Sequence, residues 1–386
     1  MATVSLDLRH HRTLAGPDYV LIIAALVLSA IGLLMLFSIS APRLEAEGLA
    51  RSASVVRQTV FVVGGMAVFA ATAFLSDRGW RLSTPYFVGI VMLLLVAVIS
   101  PLGVERQGAQ RWLPLGFMDL QPSEFAKPAV ILALAVVLSP PDETRVSWPR
   151  IGRALGLLVP PSALIFFQPD LGTMVIFVFL AFAMLFAAGA TMRQLMTLVA
   201  IGLVVLVAAF QLNLIKEYQL DRLTGFLNPD EQSLTTNYNQ NQSQIAIGNG
   251  GLFGRGLFEG SQTNLAFVPS QSTDFVFTAV AEQLGFVGAL LVLFLYLLVV
   301  WRLLVIAASA RDRYGMLVAV GVASMIGLHV FVNVGMAVGL LPVTGLPLPL
   351  MSAGGSFYLT VAFSLGVCHS IWMRRSPVPG ERRLTG

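Results

Sequence analysis

Apolar residues run through this chain in long unbroken stretches, and polar residues gather between them. Ten such stretches lie near positions 19–40, 55–75, 85–99, 122–138, 155–167, 171–188, 195–215, 275–305, 317–341 and 357–373. Each approaches the roughly 20 residues that an α-helix needs to cross a hydrocarbon layer. The third and fifth are short, and Pro160-Pro161 predicts a kink in the fifth. The eighth is long enough to tilt strongly or to project beyond the layer. The pattern predicts an all-α polytopic membrane protein with about ten transmembrane helices. One transmembrane domain then covers 19–373, between short tails at 1–18 and 374–386. A long polar segment, about 216–274, separates spans seven and eight.

Composition agrees with that reading. Only 11% of the 386 residues are charged and 56% are hydrophobic, against about 25% charged in a soluble domain. Cys368 is the only cysteine and lies in the last apolar stretch, which excludes disulfides. The first tail carries Arg9 and Arg12 but neither an apolar core nor a small-residue cleavage site. The first span is therefore expected to be an uncleaved crossing rather than a signal peptide.

Charge sets the orientation. Placing the N-terminus inside puts Arg78, Arg81, Arg145, Arg150, Arg153, Arg193, Arg302, Arg311 and Arg313 in inner loops, with the basic residues of both tails. The short outer loops keep Arg43, Arg51, Arg57, Arg106 and Arg111. A bias of about three to one predicts cytoplasmic N- and C-termini. The polar motifs then all fall outside: Gln110-Arg-Trp-Leu-Pro114, Gln121-Pro-Ser-Glu124, Gln168-Pro-Asp-Leu-Gly-Thr173, the long segment, and the stretch 339–355. Any chemistry is expected to be extracytoplasmic.

Gln121-Pro122-Ser123-Glu124 looks like a helix start, with proline in the first turn and a carboxylate at the positive dipole end. Lys127 shares a face with Glu124 and lies about 7–8 Å further in. Either the pair is a cap beside a snorkelling lysine, or it is an intramembrane ion pair lining an outward cavity. Gln168-Pro169-Asp170 repeats the pattern across a tight turn. As a pure cap it needs no function. Two outward helix N-termini, with Arg111 nearby, also suit an anion such as a pyrophosphate-bearing lipid head group. Trp112 could serve there or simply anchor at the interface.

The long segment closes on Pro269-Ser-Gln-Ser-Thr-Asp274, where the chain re-enters the apolar layer. Asp274 is either a cap or a general base; the second needs a cavity, a hydroxyl in reach and a basic neighbour. Glu282, roughly 12 Å deeper at helical rise, is another unusual intramembrane acid. The stretch 237–244, rich in Asn and Gln, reads as a solvated loop. Glycines between Gly248 and Gly260 are not a phosphate loop, because no Gly-Lys-Ser/Thr follows, and no nucleic-acid partner is expected. Residues 339–355 hold three prolines and four glycines, a stiff non-helical turn tolerated at membrane depth only when buried or lining a cavity. His329 and His369 are isolated in apolar spans, lack metal-ligand spacing and read as packing residues.

Together these motifs resemble the SEDS family (shape, elongation, division and sporulation), integral-membrane peptidoglycan polymerases. The resemblance runs from Tyr19 to Met373 and is carried by several motifs in order. They are Gly108-Ala-Gln-Arg-Trp112, Gln121-Pro-Ser-Glu-Phe-Ala-Lys127, Gln168-Pro-Asp-Leu-Gly-Thr173, and Gln244-Ile-Ala-Ile-Gly-Asn-Gly-Gly251 running on to Thr273-Asp-Phe275. Glu282-Gln-Leu-Gly285 and Gly339-Leu-Leu-Pro-Val-Thr-Gly345 complete the set. The Gly-Ala-Gln-Arg-Trp form and Gly260-Ser-Gln262 are more similar to the elongation branch than to the division branch.

The resemblance implies that lipid II units are joined by β-1,4 linkages with undecaprenyl pyrophosphate leaving, an inverting transfer that needs one base. It implies that Asp274 is that base, and it places Arg111, Trp112, Gln121, Glu124, Lys127, Asp170, Thr273 and Glu282 against the substrate. Arg111, Lys127 and a divalent cation (Mg²⁺ or Mn²⁺) are candidates to stabilise the leaving group, although no ligand motif shows the metal. A class B penicillin-binding protein with transpeptidase activity is the implied partner, alongside membrane lipid. The family commonly has Pro-Glu-x-His-Thr-Asp; here Ser270 and Ser272 replace the acid and the imidazole, and Ala353 stands where tyrosine is usual. A lipid-precursor flippase is the main rival, but it needs polar groups along a full crossing, and the inner halves of these spans are nearly featureless. A catalytically idle scaffold that activates a partner is the third reading.

Overall fold

The computed structural model describes residues 16–106, 109–116, 118–140, 145–212 and 238–375. The expectations for the two distal tails, for Gly108 and for most of the first half of the long segment lie outside these residues. Among the described residues, seven helices are long and apolar enough to cross a membrane by length and composition. They are α1 (Tyr19–Ala46), α2 (Ala53–Phe74), α3 (Asp77–Ile99), α5 (Trp148–Phe167), α10 (Val276–Ser309), α11 (Arg313–Ala337) and α12 (Gly355–Met373). Two further apolar helices, α6 (Leu171–Ala187) and α7 (Met192–Gln211), accompany them. The remaining long helix, α4 (Pro122–Leu138), carries Glu124 and Lys127 in its first two turns.

These helices coincide with the ten apolar stretches, but their ends differ. The third stretch is extended backwards to Asp77 and runs through Pro85 as a helix of 23 residues. The fifth starts at Trp148 and continues through Pro160 and Pro161. Two departures are larger. The described residues are not all helical: β1 (Val104–Arg106), β2 (Ala109–Pro114) and β3 (Asp119–Leu120) form a small antiparallel sheet in that order. Val104 pairs with Trp112 and Leu113 with Leu120, so the sheet delivers the chain from α3 to the start of α4. The long segment also contains helices, α8 (Tyr238–Gly250) and α9 (Ser261–Asn264).

α4 lies at the centre, packed by α3, α5, α6, α11 and α12. Burial inside the protein covers 67% of the apolar window in α11 and 78% in α12, against 22% in α2 and α3. The first pair therefore belongs to the inner bundle, and the second turns most of its apolar surface outward, as lipid-facing helices do. Small residues set the closest contacts, the usual device where lipid removes the hydrophobic drive between helices. A Cβ on Gly366 of α12 would stand 1.9 Å from Thr72 Oγ1 and 2.6 Å from Phe69 O of α2. One on Gly321 of α11 would meet Ile131 of α4 at 2.6 Å.

Helix α10 is not the single tilted rod expected. It breaks at Gly285 (φ 68°, ψ −166°), and the chain 251–256 docks backbone-to-backbone in the gap. Phe286 N donates to Gly251 O at 2.9 Å and Val287 N to Leu252 O at 3.1 Å. Arg255 N donates to Glu282 O at 2.9 Å and Gly256 N to Gln283 O at 3.2 Å. The amides and carbonyls freed by the break are thus satisfied inside the protein, which is what lets a helix be interrupted at membrane depth. A Cβ at Gly285 would sit 2.2 Å from Gly254 N, so only glycine admits this approach.

The Asn- and Gln-rich stretch is likewise no solvated loop. From α8, Gln240 Nε2 donates to Met336 O (3.1 Å) and Leu341 O (2.8 Å), and Ser243 Oγ to Ala337 O (2.7 Å). Met336 and Ala337 are the last two residues of α11, where carbonyls lack full intrahelical partners, and Leu341 lies in the turn that follows. Low-complexity polar side chains here terminate a buried helix.

Candidate active site

At one end of the bundle the starts of α4, α6 and α10 meet the 339–354 turn. The sequence builds the α4 start from local chemistry: Gln121 precedes the helix, Pro122 opens it, and Glu124 stands in the first turn. Lys127 Nζ donates to Glu124 Oε2 at 2.8 Å. Both are buried, Lys127 fully and Glu124 to within 5% exposure. The snorkelling alternative fails, because the ammonium turns to partners inside the protein. One partner is a residue read as mere packing: Lys127 Nζ lies 3.3 Å from His329 Nε2 on α11. His329 Nδ1 lies 3.0 Å from Pro347 O. A carbonyl only accepts, so Nδ1 carries the hydrogen and Nε2 offers its lone pair to the lysine. The Phe357 ring completes the cage, 5.2 Å from Nζ and 4.8 Å from the imidazole centroid.

Asp170 caps α6 as expected, accepting from Thr173 N (3.2 Å) and Thr173 Oγ1 (2.8 Å). It also accepts from Ser123 Oγ at 3.1 Å, which ties the starts of α4 and α6 together. Gln121 joins through Nε2, donating to Ser123 Oγ at 3.2 Å, and its backbone N donates to Ser356 Oγ at 3.0 Å. The two positive helix ends expected to attract a substrate anion are therefore already met by this protein's own carboxylates. Arg111 does not reach outward by its full fork: Nε donates to Gln168 O at 2.8 Å and Nη2 to Pro169 O, closing the end of α5. Trp112, half-buried, stands beside it on β2.

Asp274 sits half-buried on the turn that opens α10. Its N–H donates to Ser270 O at 2.9 Å. Its own carbonyl is held by Asn333 Nδ2 at 2.7 Å, and the same amide donates to Leu346 O at 2.7 Å. Asn333 is one helical turn beyond His329 on α11, so the two side chains share a face. The carboxylate stands over Gly345 (φ 74°), where a Cβ would come within 3.6 Å of Oδ2. Ser352 Oγ donates to Thr273 O, and Ala353 N donates to Ser272 O at 2.8 Å. The proline-rich turn is thus buried against the site, as irregular backbone at that depth requires. Thr273 does not point into the cluster, because its Oγ1 donates back to Ser270 O at 3.1 Å.

Glu282 is not in this cluster. Its carboxylate accepts from Gln262 N (2.8 Å), Thr263 N (3.0 Å), Thr263 Oγ1 (2.7 Å) and Asn249 Nδ2 (3.2 Å). It holds the first turn of α9 in place, fully buried. From there Gln271 Nε2 donates to Thr263 Oγ1 (3.1 Å) and Thr278 Oγ1 (3.0 Å), so Glu282 reaches the Asp274 turn only at second hand. The residues that sequence reading missed are Ser123, His329, Asn333 and Ser352. Ser123 lies inside the Gln121–Glu124 motif and Ser352 in the proline-rich turn, and the only mark on His329 and Asn333 is their spacing by four in one span, which names no partner. Among the described residues no three His, Cys, Asp or Glu side chains gather as a ligand set. The divalent cation that the resemblance allows therefore finds no protein cage there.

A family model described as "Cell cycle protein", covering FtsW, RodA and SpoVE, matches residues 18–376. The chain belongs to this family, the SEDS family. It is 37% identical over 354 residues to stage V sporulation protein E of Bacillus subtilis (strain 168), spanning 91% of this chain and 96% of that protein. It is 40% identical over 315 residues to the peptidoglycan glycosyltransferase MrdB of Escherichia coli (strain K12), spanning 81% and 83%. Among solved structures it is similar to a chain from a study of how a peptidoglycan synthase complex coordinates polymerization and crosslinking. That match has a TM-score of 0.76 and 31% identity, and covers 92% of this chain and 97% of that one. It is also similar to the rod shape determining protein RodA of Thermus thermophilus, with TM-score 0.68, 30% identity and coverage of 94% and 99%. The structure gives a backbone task to each of the three positions at which the resemblance leads one to expect another residue, Ser270, Ser272 and Ala353. Ser270 O accepts from Asp274 N, Ser272 O accepts from Ala353 N, and Ser270 itself takes a left-handed φ of 50°.

Proposed function

We propose that this SEDS protein polymerises lipid II into β-1,4-linked glycan strands, with Asp274 as general base. The observation that carries the proposal is the setting of Asp274: a half-buried residue on a fixed turn, at the end of the bundle that also holds the buried Lys127–Glu124 pair. Asp274 takes the proton from the acceptor 4-hydroxyl as that oxygen attacks the anomeric carbon of the donor. The new carbon–oxygen bond forms while the bond to the pyrophosphate breaks, and the α configuration inverts to β. Lys127 and Arg111 contribute positive charge to the departing pyrophosphate from a low-dielectric surround. No step is assigned to Mg²⁺ or Mn²⁺.

The membrane topology belongs to the same reading. All ten long helices cross, with the ends of the chain on the cytoplasmic side and the Asp274 end facing outward from the bacterial cytoplasmic membrane. A class B penicillin-binding protein is the working partner, supported by the likeness to a chain of a peptidoglycan synthase complex. We assign the protein to elongation rather than division, supported by the likeness to the rod shape determining protein RodA and by Gly260-Ser-Gln262. The test is a gel of products made from lipid II by the purified protein with its transpeptidase partner. Asp274→Asn should remove the glycan ladder, a loss of about 10²–10⁴-fold in turnover for one proton-transfer group, while the variant purifies and melts like the parent. A normal ladder from a folded Asp274→Asn protein would reject the base assignment.

A further inference from the structure

The turn 346–349 is held in an unusual way. It contains Pro347 and Pro349, which have no N–H to give to its own backbone. Leu348 O accepts from Met351 N and Ser352 N, but the carbonyls of Leu346, Pro347 and Pro349 are taken by side chains from two neighbouring helices. Asn333 Nδ2 donates to Leu346 O at 2.7 Å, His329 Nδ1 to Pro347 O at 3.0 Å, and Tyr296 Oη to Pro349 O at 2.5 Å. All three side chains are buried, His329 and Asn333 completely. Two of them have a second partner in the candidate site: Asn333 holds the Asp274 carbonyl, and His329 faces Lys127 Nζ.

We infer that His329 and Asn333 form a two-residue positioning device that fixes the separation between Asp274 and Lys127. The inference rests on the reading of Asp274 as base. One turn of α11 spans the distance between the two side chains, and the consecutive carbonyls of Leu346 and Pro347 form the opposite rail. A shift of the proline turn therefore breaks a bond at both ends of the frame, and a shift of the Asp274 turn breaks one at the Asn333 end. Asn333 keeps a buried Oδ1 with no hydrogen-bond partner, an expense that a packing residue of the same size, leucine, avoids. Its two donated bonds are what that arrangement secures. His329 also fixes the lysine end, because a bound Nδ1–H leaves only the Nε2 lone pair for Lys127. Neither residue is expected to touch substrate.

The test is steady-state polymerisation of lipid II by the purified complex of full-length protein and its transpeptidase partner, with melting temperature as the control for folding. His329→Phe keeps the ring against Phe357 but loses both bonds. It should lower kcat by about 10- to 100-fold with KM within about twofold, the signature of lost alignment rather than lost binding. His329→Gln offers an N–H donor and a carbonyl acceptor, and should recover to within about fivefold of the parent. If His329→Phe fails to fold, Asn333→Leu decides by the same split between kcat and KM. Equal behaviour of the Phe and Gln variants, or a loss confined to KM or to melting temperature, overturns the inference while an inactive Asp274→Asn leaves the base standing. An active Asp274→Asn overturns both together.

Discussion

At the residue scale the site is decided by what buried charge can tolerate. Lys127 is fully buried with Glu124 at 2.8 Å and His329 at 3.3 Å. Breaking such a pair from one side strands the other charge, at about 3–5 kcal/mol, whereas replacing both by neutral groups of similar volume is often neutral or better. Lys127→Ala should therefore melt well below the parent and lose polymerase activity. The double variant Glu124→Gln with Lys127→Met should recover most of the melting temperature and none of the activity. Recovery of both would leave the pair a structural device only. The helix start at Gln121–Glu124 and the cap at Asp170–Thr173 were legible in the sequence because each lies within one helical turn. His329 and Asn333 were not, since their partners at Lys127, Asp274 and 346–347 come from other elements, Lys127 some 202 positions away. An isolated histidine in an apolar span carries no sign of which carbonyl it will meet.

At the scale of elements, the apolar pattern located every long helix and concealed what interrupts them. Glu282 and Gln283 interrupt the apolar run just before Gly285, but nothing in the periodicity of 276–309 says that the helix breaks there. The break depends on a docking partner, 251–256, whose glycines look like an ordinary loop. The small sheet was hidden for the same reason: its strands are three, six and two residues long, too short for alternation to show. Glu282 stood out as an intramembrane acid and was read toward substrate, yet its acceptor capacity goes to the first turn of α9. Glu282→Gln turns an N–H₂ group toward donors that need a carboxylate. Hydrogen bonds to a charged group contribute about 1.5–3 kcal/mol, so exchange protection of the Gln262 and Thr263 amides should fall by about tenfold or more. A contact with lipid II predicts the opposite result, unchanged protection with a raised KM.

At the scale of the molecule, the two ends of the bundle are chemically distinct. One end gathers the starts of α4 and α6, the Asp274 turn and the proline-rich turn. The other is closed by arginines on helix ends. Arg302 grips Asp18, the cap of α1, with Nη2 at 2.8 Å from Oδ2, and Arg81 pairs with Asp312, the cap of α11, at 2.7 Å. Arg374 donates to Ala73 O and Phe74 O at the end of α2, where a cation suits the negative dipole end. This division parallels the arginine bias from which the orientation is proposed, and single cysteines test that orientation. Cys368 is fully buried, so its replacement by alanine gives a background with little reactivity of its own. On that background, Glu105→Cys on β1 should label with a membrane-impermeant maleimide in intact spheroplasts. Arg78→Cys at the start of α3 and Arg311→Cys between α10 and α11 should label only after permeabilisation. All three side chains are exposed in the structure, so access depends on the side of the membrane and not on burial. Labelling of Arg311→Cys from outside would invert the bundle. It would put Asp274 in the cytoplasm, on the side where lipid II is made rather than polymerised, and the polymerase reading would fall with the orientation.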